Sequence, residues 1–304
     1  MIGDSMKDGV LQRIAFIGFG EVGGIFAAAL SSKGQDVVVY DTLLDGSMKK
    51  TVLEKAKSAK VRIAEGVEQA VAGTQLIISA TTASSALPVA IQTASYLSRG
   101  QVYLDINSVS PNTKKRIGEV IDGSGADFVE AAVMAAVKPT GLKTPILLGG
   151  SRAFELAAEL RELGMDTTAA SDQLGVASAI KMCRSIVMKG MAALAIESLF
   201  AARLYGAEEA VLASFEATYP SMGWSGKLPD QLVQRSVEHS RRRAAELREV
   251  AETLLDAGMT PRMALAAAEL QDWLTEEMDA GHYVFRSGAP FSWTAVADAM
   301  MRRQ

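Results

Sequence analysis

The 304-residue sequence predicts an α/β domain built on a mostly parallel sheet, followed by a domain made only of helices. Three observations carry that prediction. Short β-branched runs alternate with amphipathic helical segments from Leu11 to about Gly150. Several of those runs are almost continuously apolar, as strands covered on both faces must be. Beyond Ser171 no strand-like run returns, and segments rich in alanine, leucine and methionine continue to the end. The boundary is therefore placed at 170/171, giving domains 11–170 and 171–304.

Strands are expected at residues 14–17, 37–40, 61–64, 76–79, 102–106, 128–133 and 146–148, separated by helical patterns such as 23–32 and 111–121. A further helix, 152–163, is closed by Gly164 and leads into a short threonine-rich strand. Ser171 or Asp172 suits the N-cap of a long helix that runs to Tyr205 and stops at Gly206. At ~1.5 Å per residue such a helix is roughly 50 Å long. It is apolar on nearly every face, which calls for burial by other helices or by a second subunit.

Composition removes several classes of function. Hydrophobic residues make up 49% and charged residues 22% of the chain, so it has the makings of ordinary packed cores. A net charge of -4, with no interleaving of basic and aromatic residues, favours neither nucleic acid nor an anionic membrane as partner. The single cysteine, Cys183, forms no internal disulfide and fits a reducing cytoplasm. Two distant histidines, His239 and His282, offer no metal-ligand spacing, so no metal is expected. His239 lies in a charged stretch, 238–243, that reads as a solvated helix face. Residues 1–10 lack an apolar signal core. The apolar stretch 185–202 is interrupted by Lys189 and Glu197, so it reads as a buried helix rather than a membrane span.

The segment Gly18-Phe19-Gly20-Glu21-Val22-Gly23 stands directly between the first strand and the first helix. In a G-x-G-x-x-G turn the first glycine permits the tight bend, the second lets a pyrophosphate approach, and the third allows helix and strand to pack closely. The positive end of the following helix faces the phosphates. The spacing alone arises by chance in glycine-rich loops. Asp41, at the end of the second strand about twenty residues on, supplies the acidic group that accepts hydrogen bonds from the adenosine ribose. It also repels a 2′-phosphate, so NAD is expected over NADP. Thr81 and Ser108 complete the candidate cofactor contacts.

Hydride transfer from an alcohol needs a group that takes the hydroxyl proton. Lys181 lies on the long apolar helix, where desolvation would lower its pKa and make a neutral, proton-accepting amine available. Ser185, four residues later, shares its face. The residues alone leave a second reading open, a lysine that reaches outward to a surface carboxylate.

The whole chain resembles the β-hydroxyacid dehydrogenase family, which includes 3-hydroxyisobutyrate and 6-phosphogluconate dehydrogenases. The resemblance rests on the glycine turn at Gly18–Gly23, on Asp105-Ile-Asn-Ser-Val-Ser-Pro111, which is similar to D-x-x-[ST]-x-x-P, and on Gly175 followed by Lys181, which is similar to G-x-x-G-x-x-x-K-x-x-x-N. It implies a Rossmann-type domain, a hydroxy acid bound between the domains, Lys181 as general acid/base, and a polar role for Ser108. It also implies a homodimer joined through the helical domain. Three departures stand out. Ser185 replaces the family's asparagine, with Arg184 beside it. The loop resembling D-A-P-V-S-G-G is Glu130-Ala-Ala-Val-Met134-Ala135-Ala136, so a methionine replaces the serine that helps hold a substrate carboxylate. The segment 241–250 resembles an atypical branch with a poorly characterised C-terminal domain. Arg184, or a basic residue of the second domain, would restore carboxylate binding through a bidentate pair.

The sequence thus points to an NAD(P)-dependent oxidoreductase acting on a CH–OH group of a β-hydroxy-acid-like small molecule. Lys181, Ser108 and Ser185 form the catalytic set, with Met134, Ala135, Ala136 and Arg184 completing the substrate set. An imine or keto-acid reductase on the same fold, and a non-catalytic NAD-binding sensor or scaffold, are the alternatives.

Overall fold

A computed structural model describes residues 11–301; the segment 1–10, where no signal core is expected, lies outside the described residues. The first domain places one strand at each expected run: β1 (Arg13–Ile17), β2 (Asp36–Tyr40), β3 (Arg62–Ile63), β4 (Leu76–Ser79), β5 (Val102–Asp105), β6 (Asp127–Val133), β7 (Ile146–Gly149) and β8 (Thr167–Ser171). They form a single sheet in the order β3-β2-β1-β4-β5-β6-β7-β8. Every neighbouring pair is parallel except β6 with β7. Connection chemistry explains the exception. A parallel return needs a crossover, usually helical, whereas residues 134–145 hold no α-helix and let β7 fold straight back.

The crossovers are α1 (Glu21–Ser32), α2 (Lys49–Ala59), α3 (Val67–Val71), α4 (Ala86–Ala94), α5 (Pro111–Asp122) and α6 (Ala153–Glu162). They cover the sheet, so Ile14, Phe16, Leu76, Ile77, Ile78 and Tyr103 are buried, which is why these strands read as continuous apolar runs. Helix α5 starts as its sequence dictates, with the Ser110 hydroxyl accepting the Thr113 N–H at 3.3 Å and Pro111 in the first turn.

From β1 the chain builds outward through β2 and β3, then returns to place β4 on the other side of β1. The carboxyl ends of β1 and β4 therefore flank a topological switch point, where open α/β sheets bind ligands. In register there, Ile17 pairs with Ser79, Ser79 with Asp105, and Asp105 with Glu130. Ser79, Asp105 and Glu130 are buried, a polar row within an apolar sheet.

The chain separates into two compact units, Met1–Lys181 and Met182–Gln304, a division about ten residues beyond 170/171. It falls within the long helix α7 (Val176–Leu204). Neither Ser171 nor Asp172 caps that helix. Ser171 still belongs to β8, where it pairs with Gly149, and its hydroxyl accepts the Gln173 N–H at 3.0 Å in a local turn. The chain then bends at Gly175 (φ +97°) before α7 begins. Leu204 is the last helical residue and Gly206 (φ +65°) follows the turn, so the stop is where glycine placed it.

In the second unit Ala192, Ile196, Leu199 and Phe200 of α7 enter one core with Val233 and Val237 of α9 (Leu228–Asp256), Leu274 of α10 (Arg262–Asp279) and Val296 of α11 (Trp293–Met301). Helix α8 (Glu208–Thr218) precedes α9, which bends at His239 (φ -132°). By length and composition alone α7 would cross a membrane, with a mean hydropathy of 1.5 over a window that is 44% buried within the protein. Not every face is covered: Val187, Met188, Leu194 and Leu204 are exposed.

Candidate functional site

The glycine turn is built by close approach at two positions and by openness at the third. Gly18 has φ +98°, and a Cβ there would stand 2.3 Å from the Ala80 carbonyl oxygen. A Cβ on Gly23 would stand 2.3 Å from the Gly18 carbonyl oxygen. Neither carbonyl can retreat, because both belong to the packed backbone of the strand ends. A Cβ on Gly20 would meet nothing within 4 Å. Gly20 is the N-cap of α1 and has no side-chain cap, so the helix's first N–H groups face that open side. This is the cradle a pyrophosphate requires. Phe19 is buried, Val22 half-buried and Glu21 exposed.

Asp41 joins this turn to β2. One carboxylate oxygen accepts the Phe19 N–H at 2.7 Å, and the other accepts the Leu43 N–H at 2.9 Å. Asp41 is thus a turn residue as well as a ribose candidate. A carboxylate has about four acceptor positions, so the two roles are compatible. Lys55 of α2, which nothing in the local sequence marks, clamps the same turn. Its Nζ donates to the carbonyl oxygens of Phe19 and Gly20, each at 2.6 Å, and lies 4.5 Å from the Phe19 ring centroid. Gly24 makes room for it: a Cβ there would stand 2.3 Å from Nζ. Burial lowers the Lys55 pKa, while Asp41 and Glu21 oppose that shift.

Across the switch point the loops after β4 and β5 are tied together by Asn107. Its Oδ1 accepts the Thr81 N–H at 2.6 Å, and its Nδ2 donates to the Ser79 hydroxyl at 2.9 Å and to Asp105. Asp105 in turn forms a buried ion pair with Lys114 at 2.8 Å, and Lys114 also donates to the Asp105 carbonyl at 2.7 Å. A buried charge pair holds only when its remaining donors are met, and here they are. Ser108, half-buried, follows Asn107 directly, so its loop is braced from below. Asn107 lies inside the D-x-x-S-like segment, and its position between Asp105 and Ser108 is the one signal that could have singled it out.

Glu130 does what Ser171 and Asp172 do not. It is fully buried in β6; one carboxylate oxygen accepts the N–H groups of Gly175 at 2.7 Å and Ala177 at 3.1 Å, and the other accepts the Ser178 hydroxyl at 2.7 Å. An anion at a helix N-terminus satisfies orphan donors and opposes the helix dipole. Gly149 leaves the space, since a Cβ there would stand 2.6 Å from the Glu130 carboxylate. Lys181 follows Ala177 by four residues and Ser178 by three, one helical turn on, and belongs to the same compact unit as the glycine turn.

Lys181 itself is half-buried. Lys189, further along α7, is buried more deeply: its side chain is 10% exposed and paired with Glu246 at 2.7 Å. Burial lowers the Lys189 pKa against the attraction of Glu246. Eight residues separate the two lysines. Lys189 falls among the buried positions that include Ala192 and Ile196, whereas Lys181 falls beside exposed Ile180. Ser185 is half-buried and Arg184 exposed. In the loop after β6, Met134 is half-buried, with its N–H on the Pro145 carbonyl at 2.9 Å, and Ala135 and Ala136 are exposed. The stretch 238–243 is not wholly a solvated face: Arg241 and Arg242 are exposed, but Ser240 is buried and Arg243 turns partly inward.

Two family models match the chain. Residues 13–168 match the NAD binding domain of 6-phosphogluconate dehydrogenase, and residues 202–274 match a domain of unknown function, DUF1932. An uncharacterised 28.5 kDa protein of Methanothermus fervidus is 33% identical over 256 residues, covering 83% of this chain and 94% of that protein. The mitochondrial 3-hydroxyisobutyrate dehydrogenase of Mus musculus is 22% identical over 178 residues, spanning 58% of this chain and about half, 52%, of that enzyme. The crystal structure of a conserved hypothetical protein from Sinorhizobium meliloti 1021 superimposes with a TM-score of 0.76 at 32% identity, covering 95% of this chain and 96% of that one.

Proposed function

The chain belongs to the family that carries the NAD binding domain of 6-phosphogluconate dehydrogenase, and from that premise we propose that it moves a hydride between NAD(H) and the hydroxyl carbon of a β-hydroxy-acid-like substrate. The family and fold are those of dehydrogenases acting on hydroxyl groups. The observation that supports the finer reading is the Glu130 clamp on the first turn of α7, because it fixes the helix that carries Lys181 to the sheet that carries the glycine turn.

The residues of the turn fit the cofactor. The backbone around Gly20 would hold the pyrophosphate, Asp41 the ribose, and Thr81 and Ser108 would line the nicotinamide end. When bound, the nicotinamide supplies the hydride acceptor. Lys181 would take the hydroxyl proton at Nζ in oxidation and return it in reduction, while the hydroxyls of Ser108 and Ser185 orient the substrate oxygen. Met134, Ala135 and Ala136 would present a less polar wall than a serine- and glycine-containing loop, which disfavours small, strongly anionic substrates at that position. Arg184 is the candidate carboxylate partner on α7. NAD is the preferred cofactor in this reading, because Asp41 repels a 2′-phosphate. We place the enzyme in the cytoplasm, where Cys183 stays reduced, as a homodimer through the helical domain.

A screen of hydroxy acids, alcohols and cyclic imines, with NADH fluorescence as the binding readout, tests the proposal. Turnover of a hydroxy acid is expected. NADH binding without turnover of any substrate would favour a sensor or scaffold, and turnover of imines alone would favour a reductase.

A further inference from the structure

Arg243 of α9 carries its charge into the second unit without a partner for one edge. Its Nε and Nη2 atoms are buried and make no hydrogen bond among the described residues. These two nitrogens are not an arbitrary pair. They are the donors whose N–H bonds point the same way, in the guanidinium plane, from one edge of the group, the fork that matches the two oxygens of a carboxylate. Leaving such an edge buried and unsatisfied is costly, because a charged donor loses its water and gains nothing in return.

The surroundings sharpen the case. Glu246 is the acid that acts on Arg243, yet one of its oxygens is held by Lys189 at 2.7 Å and the other lies 3.9 Å from the Arg242 Nε. Arg235 and Arg242 repel Arg243. Arg243 and Arg242 in turn repel Lys189. Around this one carboxylate stand Lys189, Arg242 and Arg243, so the local charge is positive and an incoming anion would balance it. Desolvation is the main influence on Arg243 and disfavours its charged form, the burden an anionic partner would relieve.

We propose that the Nε/Nη2 edge of Arg243, with Lys189 beside it, is a binding site for the carboxylate of a small organic acid, taken side-on through two parallel hydrogen bonds. A carboxylate presents two coplanar oxygens to the planar fork. A phosphate shares the oxyanion chemistry but is tetrahedral and more strongly hydrated. Both nitrogens of the edge are buried, so the pair that forms is shielded from water and strengthened by that shielding.

The test uses the full chain and reads binding without turnover, so its failure is separable from failure of the proposed dehydrogenase activity. Dissociation constants are measured by calorimetry at constant ionic strength for acetate, 3-hydroxypropanoate and glutarate, with 1,3-propanediol and inorganic phosphate as comparisons. At least one carboxylate should bind ten times or more tightly than the diol and more tightly than phosphate. Arg243→Lys, which keeps the charge but removes the fork, should weaken that carboxylate about tenfold or more while shifting Tm by only a few degrees. Because Arg243→Lys retains a buried cation, it carries the test even where Arg243→Gln fails to fold. Carboxylate binding that is unchanged in Arg243→Lys, phosphate binding at least as tight as carboxylate, or the absence of carboxylate binding would each overturn the assignment.

Discussion

Glu130 accepts the backbone N–H of Gly175 at 2.7 Å, joining two residues 45 positions apart in sequence. Through this bond and its companions, the start of α7 is fixed by β6 rather than by its own flanking residues. Replacing Glu130 with alanine strands two backbone donors in a buried place and leaves the Ser178 hydroxyl only the Gly175 carbonyl at 3.1 Å. The expected loss is about 3 kcal/mol or more, since each unsatisfied buried donor costs roughly 1–3 kcal/mol. Glu130→Gln keeps one acceptor oxygen for the two N–H groups and turns its amide NH2 to the Ser178 oxygen, whose own proton goes to the Gly175 carbonyl. It therefore loses mainly the interaction of its charge with the helix end, about 1 kcal/mol. Denaturant titration of both variants checks the order, and an alanine variant as stable as wild type would contradict it.

The three glycines of the turn should separate in their effects. Gly20→Ala meets no steric obstacle and its backbone has negative φ, so the protein should stay folded while binding NADH at least tenfold more weakly. Gly18→Ala must push against the Ala80 carbonyl from a left-handed conformation, and should lose about 2 kcal/mol or more of stability. Fluorescence titration paired with thermal melts distinguishes the two. Equal binding by Gly20→Ala and wild type would remove the pyrophosphate from that side of the turn.

Lys55 gives a pH signature of known sign. Burial lowers its pKa in the folded protein, whereas the unfolded chain keeps the ordinary value of 10.5. Between the two values the unfolded chain binds the extra proton, so the stability contributed at this position rises with pH. The difference in unfolding free energy between wild type and Lys55→Met should therefore move in favour of wild type as pH is raised toward 10.5. A pH-independent difference, or one of opposite slope, would show that the clamp carries no such desolvation.

The proposed dimer rests on apolar side chains that α7 leaves exposed. Val187 and Leu194 stand seven residues apart, about two turns, and are 62% and 58% exposed. Charging both, as Val187→Glu with Leu194→Glu, should convert a dimer to a monomer at micromolar concentration in light scattering. A wild-type protein that is already monomeric contradicts the dimer, and a dimer that survives the double change places its interface elsewhere.

Much of the α/β domain was legible because buried parallel strands must be apolar on both faces, and the strand runs from Ile14, Leu76 and Val102 have that character in one dimension. The glycine turn was legible for a related reason: close backbone approach leaves glycine as the only residue that fits at Gly18 and Gly23. What escaped depends on partners distant in sequence. The helix start at Val176 is set by Glu130, and Ser171, a good cap by type, is already spent in β8. Lys55 reaches Phe19 across 36 residues. The buried pair of Lys189 with Glu246 went unread, because an all-round apolar helix does not declare which face is covered. Arg243 was hidden for the opposite reason, since a run of arginines reads as solvated until one of them turns inward.

The central claim is that Lys181 moves the proton. Once a substrate is identified, kcat of Lys181→Met and the dissociation constant of its NADH complex test it together. The account predicts NADH binding within about twofold of wild type and a fall in kcat of about 10³-fold or more, the scale of losing a general acid–base group. Turnover at the wild-type rate in a variant that binds NADH normally would contradict it.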